Sequence, residues 1–188
     1  FRRVLFRSTF RSKVAHPNLH LCLNRNDITD EDISVLEHVH TLDLSWCTGI
    51  TNVSAFGLRQ IHTLNLSRCT GIDDVSALGH IHTLNLSWCP GITDVSALGQ
   101  VHTLNLASCT SITDVSALGN VHTLDLSACP GITDVSALGN VHTLDLSACP
   151  GITDAFRPCL STLGQVHTLN LSGCSGIRDV SALKKVHT

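Results

Sequence analysis

The chain has 188 residues, enough for one ordinary domain, and 43% of them are apolar while only 4% are aromatic. Packing therefore falls to Leu, Ile, Val and Ala. A formal net charge of −3 gives no cationic footprint for nucleic acid or an anionic membrane, and no apolar run approaches the length that spans a bilayer.

The chain opens FRRVLFRS, and methionine is absent throughout. Phe1–Ser8 resembles the translation of a common sequencing adaptor and is read as lying outside the fold. The competing reading is a basic arm in which Arg2, Arg3 and Arg7 bind an anion. Residues 9–17 are expected to form an unstructured or damaged N-terminal edge. From residue 18 to residue 188 the chain repeats itself, with units starting at Asn18, Val39, Ile61, Ile81, Val101, Val121, Val141, Val166 and Val186. The spacings are 21, 22, 20, 20, 20, 20, 25 and 20, and a near-fixed period of this size means a solenoid of about eight repeats. The array is expected to be a fragment, broken off at its C-terminal end. No unit of this size buries its apolar face alone; stacked units bury it against each other. The acidic stretch DEDISVLEHV, Asp30–Val39, is expected to be the solvated return of the first unit.

The unit from Val101 shows the pattern. Alternation over Thr103–Ala107 predicts a short strand with Leu104 and Leu106 inward. Cys109 stands at the bend. Ile112, Val115 and Leu118 then recur every third residue, which suits an extended-to-3₁₀ return. Ser116 is expected to cap that turn, and Asp114 to form an Asx-type bond. The stretch AFRPCLSTLG, Ala155–Gly164, lengthens one return by five residues. Insertions in solenoids map to loops on one face.

The stretch VHTLNLASCTSI at Val101–Ile112 resembles the leucine-rich repeat, whose pattern is L-x-x-L-x-L-x-x-N/C-x-L. Two residues between Cys109 and Ile112 resemble the cysteine-containing subtype often seen in F-box substrate receptors, while ITDVSAL resembles the short return of bacterial internalins. In the first unit, LHLCLNRNDI at Leu19–Ile28, Asn26 replaces the cysteine. The resemblance implies an α/β-type solenoid of short parallel β-strands with loop or 3₁₀ returns, curved as a right-handed superhelix. Its concave face would carry three rows: Thr41, Thr63, Thr83, Thr103, Thr123, Thr143 and Thr168; then Asp43, Asn65, Asn85, Asn105, Asp125, Asp145 and Asn170; then Ser45, Ser67, Ser87, Ala107, Ser127, Ser147 and Ser172.

Seven of the nine cysteines share one repeat position: Cys47, Cys69, Cys89, Cys109, Cys129, Cys149 and Cys174. None forms the close convergent pair that zinc needs, and side chains stacked in one direction converge poorly for a disulfide. They are read as buried thiols bonded to turn backbone, whereas Cys22 points outward and Cys159 lies in the insertion. Many free thiols favour a reducing compartment. Sequons begin at Asn52, Asn65, Asn85 and Asn170, three of them on predicted strands where glycans would cover the binding face. The cytoplasm is the expected location. His40, His62, His82, His102, His122, His142, His167 and His187 form a second repeated row. No unique nucleophile accompanies any of them, so they are read as a stacked, half-exposed row and not as catalytic or metal-binding groups.

Repetition of one residue set argues for a scaffold. The expected function is protein binding on the concave face by a monomer without catalytic residues, metal or cofactor. Two alternatives are a substrate-recognition subunit of an F-box-type ubiquitin ligase and the targeting module of a larger enzyme. Departures from identity cluster just before each cysteine, at Trp46, Arg68, Trp88, Ser108, Ala128, Ala148 and Gly173. The candidate partner-binding residues are therefore Trp46, Arg68 and Trp88, with Thr63, Thr83, Thr103, Asn65, Asn85 and Asn105 beside them.

Overall fold

The computed structural model describes residues 19–23, 28–33, 39–57, 60–154 and 157–183. The readings of residues 1–8 and 9–17, of Asn26 and of His187 lie outside them, as do the side chains of Arg157, Pro158 and Cys159.

Eight short strands form one parallel sheet in sequence order: β1 (Leu19–Cys22), β2 (Val39–Asp43), β3 (Thr63–Asn65), β4 (Thr83–Asn85), β5 (Thr103–Asn105), β6 (Thr123–Asp125), β7 (Thr143–Asp145) and β8 (Thr168–Asn170). Register is strict. Thr103 pairs with Thr83 and Thr123, and Leu104 with Leu84 and Leu124. A strand is only as long as its alternation, but the ladder runs on past it: Leu106 N donates to Asp125 O at 2.8 Å and Ser108 N to Ser127 O at 2.8 Å. No helix among the described residues is long and apolar enough to cross a membrane.

Inside, the four units from Ile61 to Leu138 contribute the same buried set, in the fifth unit Val101, Leu104, Leu106, Cys109, Ile112, Val115 and Leu118. The inward row is as the spacing predicts. The thiol row has a direction as well. Each Sγ donates to a leucine carbonyl of the preceding unit: Cys69 to Leu44 O at 3.1 Å, Cys109 to Leu86 O at 3.1 Å and Cys149 to Leu126 O at 3.1 Å. Burial pushes the thiols of Cys69, Cys109 and Cys129 up to about 12, and those of Cys89 and Cys149 up to about 11. The nucleophile is the thiolate, so the row is inert while the fold holds. Cys22 is exposed. With Cys22 and Cys159 both replaced by Ser, an aromatic disulfide reagent at pH 8 should find no fast thiol. The remaining seven should react only at the rate of unfolding. A rapid phase in native buffer would show that the row opens locally.

The returns differ from expectation in one detail. Ser116 does not cap its turn. Asp114 does, its Oδ1 accepting the Ser116 N–H at 2.9 Å ahead of the 3₁₀ segment Ser116–Asn120. Asp74 and Asp94 do the same for Ser76 and Ser96, and Asn52 does it for Ser54 with an amide oxygen at 2.9 Å. Successive returns also pack backbone to backbone. A Cβ added to Gly99 would meet the carbonyl of Ala117 in the next unit, so close approach, and not an unusual φ, selects glycine there.

The serine N–H, and then its hydroxyl, hold Asp74, Asp94 and Asp114 below the ordinary carboxylate value. A depressed folded value means that the unfolded chain binds more protons in acid. This stabilisation is complete above the unfolded value of about 3.9 and is lost as pH falls through the folded value. Asp94→Asn keeps the acceptor, as Asn52 does, and removes the charge. It should melt a little earlier than the parent at pH 7 and flatten the fall below about pH 4. Asp94→Ala should melt earlier still at pH 7. Equal losses for both variants at pH 7 would show that charge, not the turn bond, matters.

Two units lack the ordinary return. In the first, α1 (Asp30–Ile33) takes its place, and in the seventh, α2 (Arg157–Thr162) followed by the 3₁₀ segment Leu163–Gln165. The acidic stretch after Asp30 is thus not wholly solvated, since Asp32 and Ile33 are buried. The insertion supplies Leu160 and Leu163 to the core. Here the recurring aspartate changes role. Asp30 accepts Thr51 N at 2.9 Å, Thr51 Oγ1 at 2.8 Å and Asn52 N at 3.1 Å. Asp154 accepts Arg178 N at 3.0 Å and Asp179 N at 3.3 Å. Where no serine turn follows, the carboxylate clamps the next unit instead. Burial alone pushes the Asp30 carboxyl up, but the Thr51 and Asn52 N–H groups and the Thr51 hydroxyl together hold it below its ordinary value.

Candidate functional site

Alternation along β2–β7 turns the threonines and the asparagine or aspartate side chains to the open face of the sheet, where they are half-buried by their in-register neighbours. The second row is committed on one side. Asn65 Oδ1 accepts Ser67 N at 3.0 Å, Asn85 Oδ1 accepts Ser87 N at 2.9 Å and Asn105 Oδ1 accepts Ala107 N at 2.9 Å. Only the oxygen of an amide accepts, so these bonds fix each amide's orientation and leave its NH₂ as the free end. Asp43, Asp125 and Asp145 make the same bond to the N–H two residues on. Asp145 Oδ2 also receives Asn170 Nδ2 at 2.9 Å. The face is thus donor-rich over β3–β5 and acidic over β6 and β7. The third predicted row is less open than expected. Ser45 and Ser87 are buried, and these are the two serines that precede the tryptophans.

At the end of each strand from β2 to β8 the chain must turn inward to bury its cysteine. It does so through one residue in the left-handed region: Trp46 at φ 65°, Arg68 at 63°, Trp88 at 61°, Ser108 at 60°, Ala128 at 55°, Ala148 at 55° and Gly173 at 75°. For an L-residue this conformation costs about 1–2 kcal/mol. It persists because the ladder imposes it: Trp46 N donates to Ser67 O, Arg68 N to Ser87 O and Trp88 N to Ala107 O, each at 2.8 Å. The side chains of consecutive turns therefore stand side by side. The Arg68 guanidinium carbon lies 4.3 Å from the Trp46 ring centroid and 4.5 Å from that of Trp88. Trp46 is 53% exposed and Trp88 51%, so the sandwich stands in solvent. Beyond Trp88 the same position holds only small residues.

The histidines stack as expected, exposed from His62 to His167 and half-buried at His40. Neighbouring ring centroids from His40 to His167 are 4.3–5.0 Å apart, with interplanar angles of 4–23°. His82, His102 and His122 each set Nδ1 3.2–3.3 Å from the Oγ1 of the following threonine. Parallel rings of this kind aim their nitrogens in parallel, and the described residues contain no group of three ligands able to hold a metal ion.

The structure brings Trp46, Arg68 and Trp88 together at the rim, and sets Thr63, Thr83, Thr103, Asn65, Asn85 and Asn105 on the adjoining face. Sequence reasoning did not find the left-handed backbone of the rim, for which Gly173 was the one available sign. Nor did it find the clamps at Asp30 and Asp154, which are marked by an ITD that precedes an irregular return.

A family model for the leucine-rich repeat matches residues 35–58 and 80–98. Among solved structures, the chain is similar to the internalin inlF from Listeria monocytogenes, with 18% identity and a TM-score of 0.65 over 98% of this chain and 66% of that one. It is also similar to internalin C2 of the same species, with 26% identity and a TM-score of 0.63 over 88% of this chain and 75% of that one. A leucine-rich-repeat protein of Leptospira interrogans matches with 17% identity and a TM-score of 0.52, over 88% of this chain and 46% of that one. The chain thus spans just under two thirds of the inlF structure and less than half of the Leptospira one. No curated protein matches the chain.

Proposed function

Because the chain is a leucine-rich-repeat solenoid with internalin-like and cysteine-containing repeats, we propose that it is a binding scaffold. It holds a protein partner against its concave face and has no catalytic role of its own. Repeat arrays of this kind offer extended surfaces for binding, and the repetition of one residue set along this one supports that use. The observation that carries the reading is the Trp46–Arg68–Trp88 sandwich. Two half-exposed indoles and a guanidinium occupy backbone positions that strain every residue but glycine, and Trp and Arg are the side chains that dominate interface energetics. The asparagine and threonine rows beside them supply the polar part of the surface. The cytoplasm is the proposed compartment, supported by the thiol row, whose sulfurs donate to leucine carbonyls.

The test is affinity capture with the intact chain, repeated with Trp46 and Trp88 both replaced by Gly. The partner should be lost from the variant while the denaturation midpoint hardly moves. Undiminished capture by the variant would remove the sandwich from the interface.

A further inference from the structure

Resting on that reading, the geometry points to the chemistry of the partner: we infer that the rim receives an extended peptide segment through an aspartate or glutamate side chain, which seats on the edge of the Arg68 guanidinium. The two indoles occupy both faces of the guanidinium. No carboxylate, carbonyl or hydroxyl among the described residues accepts from its N–H groups. A planar fork of donors with both faces covered is complementary to the two oxygens of a carboxylate. A lysine at this place would offer neither the plane nor the fork.

The surroundings have the same polarity. The Nδ2 groups of Asn65 and Asn85 face outward because their oxygens are engaged by Ser67 N and Ser87 N, and no described residue accepts from them. Arg68 is one of only two cationic side chains among those described, the other being Arg178 near the C-terminal end. The donor-rich stretch is bounded by Asp43 on one side and by Asp125 and Asp145 on the other, so an acidic group is steered to its middle. The open face continues across β2 and β5 to either side of Arg68, which leaves room for a chain running through. This favours an internal acidic side chain over a chain terminus.

The chain has two tryptophans, and both stand in this site, so indole emission reports its occupancy. The experiment presents random heptapeptides, blocked at both ends, to the intact chain. Retained sequences should be enriched in Asp and Glu over Asn and Gln. A retained peptide should perturb indole emission saturably, and its Glu→Gln form should bind at least ten-fold more weakly. Against Arg68→Gln the two forms should bind alike, and Arg68→Lys should restore only a minor part of the difference. Far-UV circular dichroism and the denaturation midpoint establish that each variant is folded, and Arg68→Lys alone decides the matter if Arg68→Gln is not. Retained peptides without carboxylates, or a Glu-over-Gln preference that survives in the Arg68 variants, would overturn the inference and leave the scaffold reading in place. If the wild-type chain retains no peptide at all, the inference fails, while the scaffold reading stands or falls by the affinity capture above.

Discussion

Leu104→Ala is expected to destabilise the array by about 2–5 kcal/mol, and Thr103→Ala by about 0.5 kcal/mol or less, although the two residues are neighbours in β5. Leu104 is 1% exposed and lies in register between Leu84 and Leu124. The strands on either side are held by main-chain bonds, so they cannot close on the space that a shortened side chain leaves. The residual cavity keeps the cost toward the upper end of the range. Thr103 faces the other way, half-exposed, and loses only a bond at 3.2 Å to an exposed histidine. Chemical denaturation of the two variants measures the contrast directly. Equal losses would mean that the strand faces are the reverse of those described.

The second large effect separates binding from stability at Trp88. Glycine relieves the strain of the left-handed turn, worth about 1–2 kcal/mol, and gives up the contact with Arg68, worth about 0.5–2 kcal/mol. The two terms oppose each other and are of similar size. Trp88→Gly should therefore change the unfolding free energy by no more than about 1 kcal/mol. If Trp88 anchors a partner, affinity should fall by about 2 kcal/mol or more, some thirty-fold. Alanine is the poorer probe, because it keeps the strain and loses the stack. A bulky replacement of Ser108, one unit further along, should leave the affinity nearly unchanged if the contact is confined to the first units. Normal binding by Trp88→Gly and Trp46→Gly, with earlier melting, would make the sandwich a brace for the fold.

Period and alternation were enough to place the strands, the inward leucines, the buried thiols and the histidine row. Each of these follows from a local rule repeated in register, so one unit read correctly is nearly the whole array. The sandwich was legible too, because a fixed residue in each unit becomes a row in space. What escaped was whatever depends on two units at once. Nothing in the residues around Cys109 says that its thiol reaches back to Leu86 rather than into its own turn. An ITD that caps a serine in one unit and clamps the next unit in another has the same letters in both. Only the return that follows, DEDI after Thr29 or the insertion after Asp154, decides which it does. The rim's left-handed backbone is hidden for a similar reason. Tryptophan and arginine are not residues that advertise it, and the neighbouring strand's carbonyl imposes it.

The thiol ladder has a consequence for how such an array changes length through generations. Each unit from Val39 to Val141 gives one sulfur bond backward and receives one from the unit ahead, always from cysteine to the same leucine carbonyl. A recombination event that drops or doubles one whole 20-residue unit rejoins a donor to an acceptor of the same kind and strands neither. The 14 residues from Val121 to Asp134 recur unchanged from Val141 to Asp154, as a recent doubling would leave them. Length is then a trait that heredity can vary in steps of one strand, about 4.8 Å each, without disturbing the junctions on either side.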